Sequence, residues 1–141
     1  MDKILSKIYE QVQWYNHAGL KTQSITDLLN CKDKLAIYSY GLAQFASDLK
    51  AEYNTAYFIR KIDVAKQKQG LIANKKMSHA AAEVDAMVST ERQMQNELDK
   101  EAGSYKADLL LRQVNVIIQA ITQRIAYLRS ELDLTYKQQT T

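Results

Sequence analysis

The apolar positions of this chain recur at steps of three and four residues, and the elements they predict are helices. Over residues 2–15, Ile4, Ile8, Val12 and Tyr15 form one stripe, widened by Leu5 and Tyr9, which predicts a short amphipathic helix. Asn16-His17-Ala18-Gly19 should end it, because Asn and Gly tolerate the left-handed geometry of a C-cap. Ser24-Ile25-Thr26-Asp27 reads as a capping signal before a short turn at Leu28-Leu29. Asn30, with Asp33 three residues on, then reads as the cap of a long helix over about 31–70, with Gly70 as its stop. The seam of that helix is Leu35, Tyr38, Leu42, Phe45, Leu49, Tyr53, Ala56 and then Ile59 or Arg60. Heptad-like spacing of this length needs another long helix lying along it.

A second long run supplies the partner. Residues 71–77 make a basic turn, Ser78 caps the run, and the helix is expected over about 79–135. Its first half is sparse in apolar residues, with Val84, Met87 or Val88, Met94 and Leu98 as the seam. Gly103-Ser104 is the expected soft joint. Beyond it the seam becomes dense: Leu110, Val114, Ile117, Ile121, Ile125, Leu128 and Leu132. Leu109, Leu111, Val116 and Ile118 give the same stretch a second greasy face. One antiparallel partner covers only one face. Either the N-terminal helix completes a three-helix arrangement, or other subunits bury the remainder. Gln138 to Thr141 reads as a frayed tail. The expected architecture is all-α: an elongated antiparallel helical hairpin or bundle (residues 20–141) with a short N-terminal helix (1–19), oligomeric through its C-terminal helix.

Composition strengthens the helical reading, since the 141 residues include no proline and only four glycines. Proline breaks helix interiors and glycine weakens them. Cys31 is the single cysteine, which excludes an intramolecular disulfide and suits a reducing compartment. No apolar run approaches membrane-spanning length and no signal-peptide core opens the chain. A soluble cytoplasmic protein with no membrane contact is expected, in the host cytoplasm if the gene is carried by a phage.

The net charge of +3 is modest, but its distribution is uneven. Arg60, Lys61, Lys66, Lys68, Lys75 and Lys76 face only Asp63 between residues 57 and 76. Between residues 83 and 108 the balance reverses, with Glu83, Asp85, Glu91, Glu97, Asp99, Glu101 and Asp108 against Arg92, Lys100 and Lys106. Such asymmetry serves an anionic partner or pairs one helix with another.

Enzymatic constellations are absent. His79 and Glu83 share a helix face at a spacing that suits two metal ligands, yet no further ligand stands at matching spacing. Cys31 near a helix start would have a lowered pKa, but neither His17 nor His79 is placed as its base. There is no phosphate-binding glycine loop and no nucleophile elbow. A non-enzymatic protein without metal or cofactor is expected.

The basic hinge is the remaining candidate. Lysine and arginine bind nucleic-acid backbones, and exposed aromatic rings stack on single strands. Tyr53, Tyr57, Lys61 and Lys68 fall near one side of an ideal helix, so both ingredients could meet one strand. Alternatively Tyr53 and Tyr57 complete the core seam, as stripes at heptad spacing usually do, and the lysines are solvated surface. Arg112, Arg124 and Arg129 interrupt the greasy helix, and either pair with Glu131, Asp108 or another subunit, or extend a basic surface. Trp14-Tyr15 either packs back onto the bundle, the reading favoured for aromatics on an amphipathic face, or docks a partner.

Ile37-Tyr38-Ser39 opens the long helix with an aliphatic-Tyr-Ser element, and Val64-Ala65-Lys66-Gln67-Lys68, followed by Gly70, ends it with a basic one. A charged helix and then a strongly apolar one, about Asp108 to Leu132, come after. In these features the chain resembles the UvsY-type recombination mediators of T-even phages, over about Ser24 to Leu132. It departs from the pattern in its N-terminal helix and in Lys75-Lys76. The resemblance implies a homo-oligomer that binds single-stranded DNA through Lys66 and Lys68. It also implies a recombinase and a single-strand-binding protein as partners, with the mediator helping to load the first onto DNA covered by the second. The rival expectation is a helical coiled-coil adaptor or inhibitor that acts on another protein without nucleic acid.

Overall fold

The computed structural model describes residues 1–140, which form four α-helices and one π-helical turn, with no strand among them. Helix α1 spans Asp2–Trp14, α2 Ile25–Lys75, α3 His79–Ser89 and α4 Glu91–Thr140. The architecture is all-α, and stretches of α2 pack on stretches of α4 as in a hairpin. Two compact units divide the chain, with their boundaries inside α2 and α4. The first comprises Met1–Phe45 and the chain from Ala107 onward, and the second comprises Ala46–Lys106.

The first unit is a three-helix arrangement built around aliphatic side chains. Ile8 of α1, Leu28, Leu35 and Leu42 of α2, and Val114 and Ile121 of α4 are wholly buried. Burial of each such side chain contributes about 1.5–3 kcal/mol. Helix α1 runs antiparallel to α2. The Cys31 thiol donates to the Gln11 carbonyl at 3.8 Å, while a Cβ added at Gly41 would lie 3.0 Å from Ile4 Cδ1. The N-terminal helix thus covers part of what one partner helix would leave bare.

Two boundaries in this unit differ from expectation. No glycine among the described residues takes a positive φ, so Gly19 does not end α1 as a left-handed cap. The chain instead widens into a π-helical turn over Tyr15–Gly19, with Leu20 N–H donating to the Tyr15 carbonyl at 3.0 Å. Glycine is required there for room, since a Cβ would come within 2.7 Å of Tyr15 Cδ2 and 3.0 Å of Trp14 Cζ3. Tyr15 is buried and Trp14 half-buried, so this aromatic pair packs back onto the bundle. The long helix starts at Ile25 rather than near residue 31. Ser24 is its cap, accepting from Asp27 N–H at 3.2 Å through Oγ. Leu28 and Cys31 continue the seam of Leu35 and Leu42 backward by threes and fours, so packing draws the expected turn into the helix.

The second unit pairs its helices antiparallel, and its contacts descend one helix as they climb the other. Gly103 lies beside Leu49, Glu97 meets Arg60, Gln93 donates to Asp63 at 3.0 Å, and Ser89 donates to Gln67. Its interior is small and polar: Ala82, Ala86, Thr90, Glu97 and Ser104 are buried. Val84, Met87, Val88 and Leu98, the expected seam, point outward, with Val88 66% exposed. Arg60 explains the outward turn of Leu98 in α4. Its guanidinium takes the inward position that Ile59 could have held and pairs with Glu97, and burying that charge unpaired would cost more than exposing a leucine. Glu97 therefore turns inward, and helical geometry turns Leu98 out.

The break in the second run falls at Thr90, not at Gly103-Ser104. Thr90 Oγ1 donates to the carbonyls of Ala86 at 3.0 Å and Met87 at 3.1 Å, and its backbone leaves helical geometry at φ −102°, ψ 13°. A hydroxyl that binds its own preceding turn competes with helix propagation. Ser78 caps α3 as expected, accepting from Ala81 N–H at 3.2 Å. Helix α4 passes through Gly103 and continues to Thr140, so residues 138–140 are helical, while Thr141 lies outside the described residues. Beyond Leu128 every described residue of α4 is exposed, including Leu132, the expected last member of the seam. No described helix is long and apolar enough to cross a membrane.

Candidate nucleic-acid interface

The last turns of α2 carry the basic residues, and helix geometry sorts them onto different sides. At about 100° per residue, positions seven apart return to nearly the same direction. Lys61, Lys68 and Lys75 therefore form one stripe, each roughly 10 Å of helix rise from the next. Lys66 does not belong to it. Two residues from Lys68, it points about 200° away, onto the exposed side that also carries Ile59 and Ile62.

Arg60 is the candidate that the fold removes. Its Nε and Nη2 donate to the two carboxylate oxygens of Glu97, the second at 3.3 Å, in a forked pair. The hydrogen bond to Glu97 holds the guanidinium proton more tightly than usual, outweighing partial burial, which acts the other way. The side chains are only 15% and 8% exposed, so Arg60 is committed inside the unit and is not a surface phosphate contact. Lys68 is half-buried and reaches Glu83 at 3.7 Å. That pair lies at the rim, where an ion pair contributes at most about 1 kcal/mol, so a phosphate can compete for the lysine. Glu83 thus faces a cation.

Tyr57 joins the stripe to the aromatics. Lys61 Nζ stands 4.8 Å and Arg60 Cζ 5.7 Å from its ring centroid. Tyr53 lies 6.3 Å from Tyr57 in a tilted arrangement, and Phe58 meets it edge-on at 5.6 Å. Tyr53 and Tyr57 are half-buried, whereas Phe58 is 62% exposed. Burial and the neighbouring Glu101 and Glu97 carboxylates keep the Tyr53 phenol protonated above its ordinary range.

The hinge closes on Lys75 and Lys76, both exposed. Gly70 does not stop α2. The helix runs on to Lys75, and Lys76 takes the left-handed position with φ 52°. A Cβ at Gly70 would meet nothing within 4 Å. The floor beside Gly70 opens a groove of about 540 Å³ between α2 and α3, bounded by Gln67, Leu71, Asn74, Lys75, Asp85 and Val88.

The remaining candidates separate from this surface. Cys31 lies inside α2 rather than at its start, and burial pushes its thiol up to about 11 against a smaller opposing effect of Lys34. Such a thiol is a poor nucleophile. No cluster of three or more His, Cys, Asp or Glu among the described residues could hold a metal ion. In the first unit, Arg124 donates to the Thr22 carbonyl at 3.4 Å and lies over the Tyr127 ring. It is Tyr127 Oη that reaches Glu131, at 2.7 Å.

Glu97 is the residue that reasoning from apolar positions missed. Stepping the dense seam backward from Leu110 by threes and fours reaches Ala107, Ser104, Lys100, Glu97 and Met94, so a signal existed. It lay in residues that do not look like core. Comparison of the chain with protein-family models, characterised proteins and solved structures finds no match.

Proposed function

We propose that the protein is a non-enzymatic accessory protein that binds single-stranded DNA along the basic end of α2. By its resemblance to phage mediators, it would help load a recombinase onto DNA covered by single-strand-binding protein. The observation that carries the reading is the stripe of Lys61, Lys68 and Lys75, with the Tyr57 ring beneath Lys61 and Lys76 at its end. Each lysine that meets a phosphate releases a counterion, so binding is independent of sequence to first order and weakens steeply with salt. Three or four lysines on one copy bind weakly. Exposed Leu109 and Val116 on the second face of α4 support assembly of copies through that helix, which would present several stripes at once and bind by avidity.

The test is oligonucleotide affinity across a salt series for wild type, Lys61→Ala/Lys75→Ala and Lys66→Ala. The double variant is expected to lose affinity and to flatten the salt slope by about 1.4, near 0.7 per lost contact on a single strand. Lys66→Ala should lose less. An unchanged slope in the double variant sinks the stripe.

A second reading has its own observation. Phe58, Ile59, Ile62, Val84, Val88 and Leu98 all stand exposed in the second unit, which suits a helical adaptor or inhibitor that docks another protein. That protein would give no retarded band with single-stranded DNA at low salt.

A further inference from the structure

Resting on the single-stranded DNA reading, we infer that the groove between α2 and α3 receives one unstacked nucleobase from the strand whose phosphates follow the lysine stripe. Two rows of side chains face each other across it, Gln67, Leu71 and Asn74 from α2 and Asp85 and Val88 from α3. Gly70 forms its floor without a side chain, and at about 540 Å³ it falls within the usual range of small-ligand sites.

Three kinds of group meet there, and a nucleotide needs all three. Leu71 and Val88 offer apolar walls to the two faces of a planar ring. Two amides and a carboxylate offer donors and acceptors to its edge. Ser89 occupies the carbonyl oxygen of Gln67 and leaves the two amide N–H donors of that side chain outside the contact. Lys75 belongs at once to the groove and to the stripe, so a base in the groove keeps its own phosphate beside a cation. A plain apolar helix docking here would take Asp85, Asn74 and Lys75 out of water while offering none of them a hydrogen bond, which is costly.

Asp85 also determines which bases fit. A carboxylate accepts from an exocyclic amino group, as on cytosine N4, whereas thymine presents a carbonyl acceptor and a methyl group at that edge. The groove should therefore favour amino-bearing bases over thymine, superimposed on phosphate binding that ignores sequence.

Fluorescence anisotropy with labelled oligo-dC and oligo-dT of equal length, in one low-salt buffer, tests this. Wild type should bind oligo-dC about five- to tenfold more tightly, the discrimination of roughly one good edge contact. Gly70→Leu, which raises a side chain from the groove's floor, and Asp85→Ala, at an exposed position, should each bring oligo-dC down to the oligo-dT affinity while leaving oligo-dT within about twofold. Gly70→Ala, whose Cβ enters open space, should keep the preference. Equal wild-type binding of both oligonucleotides, or a preference that survives both Gly70→Leu and Asp85→Ala, overturns the base site and leaves the stripe standing. Failure to bind either oligonucleotide at low salt removes the stripe and the base site together.

Discussion

The first unit closes on Ile8, Leu28, Leu35, Leu42, Val114 and Ile121, whereas the second closes on Ala82, Ala86, Thr90, Ser104 and the Arg60–Glu97 pair. Stretches of α2 and α4 contribute to both, so helix propensity does not separate them. Their interiors do. Aliphatic burial is non-directional and tolerates small shifts of register, while a forked Arg–Glu pair demands one alignment. The first unit therefore supplies most of the hydrophobic stability. The second is held in register by polar pairs and leaves its larger apolar side chains facing solvent beside the proposed DNA stripe.

The largest expected effect lies in the aliphatic core. Leu42→Ala or Ile121→Ala should cost about 2–5 kcal/mol in urea denaturation, and a loss under about 1 kcal/mol in either would break the contrast. Next, Glu97→Ala should cost about 2–3 kcal/mol by stranding the Arg60 guanidinium, whereas Arg60→Met combined with Glu97→Leu should be near neutral. If the double variant falls as far as the single one, the pair contributes more than register.

The dryness of the first unit also has a pH signature. An unfolded cysteine ionises near its ordinary 9.0, while burial holds the native Cys31 thiol protonated to about 11. Between those values the native state binds more protons, so its stability should fall as pH rises through that window. Relative to Cys31→Ala, wild type should lose about 1 kcal/mol between pH 8 and 10, and parallel pH profiles would contradict a buried thiol.

Smaller effects sharpen the hinge and the outward face. Lys76→Gly should stabilise by about 1 kcal/mol, because a side chain at φ 52° carries a steric cost that glycine lacks. A gain in melting temperature together with weaker DNA binding would separate the two roles of Lys76. Val88→Thr should change stability by less than about 0.5 kcal/mol, and a larger loss would show that the outward valine is covered in solution.

The dense seam from Leu110 to Leu128, the amphipathic α1 and the caps at Ser24 and Ser78 could each be read directly, because their periodicity or capping chemistry is local. The side choice in α3 and the start of α4 could not. Val84, Val88 and Leu98 are the most apolar residues of that stretch, and any rule based on hydropathy turns them inward. The candidate site was legible as composition, six basic residues near one end of a helix. Its division into an interior Arg60, a stripe of Lys61, Lys68 and Lys75, and an opposed Lys66 follows from helix phase together with Glu97 and Glu83.

By itself the sequence determined that the fold is all-α and that two long helices share seams, since spacing and the absence of proline act within each segment. Tertiary structure alone decided that Arg60 points inward, that Thr90 rather than Gly103 parts the second run, and that Lys76 rather than Gly70 closes the first. Each of these depends on a partner distant in the chain or on where packing lets a helix stop. A buried charge requires its counter-ion even where a leucine must be exposed to provide it.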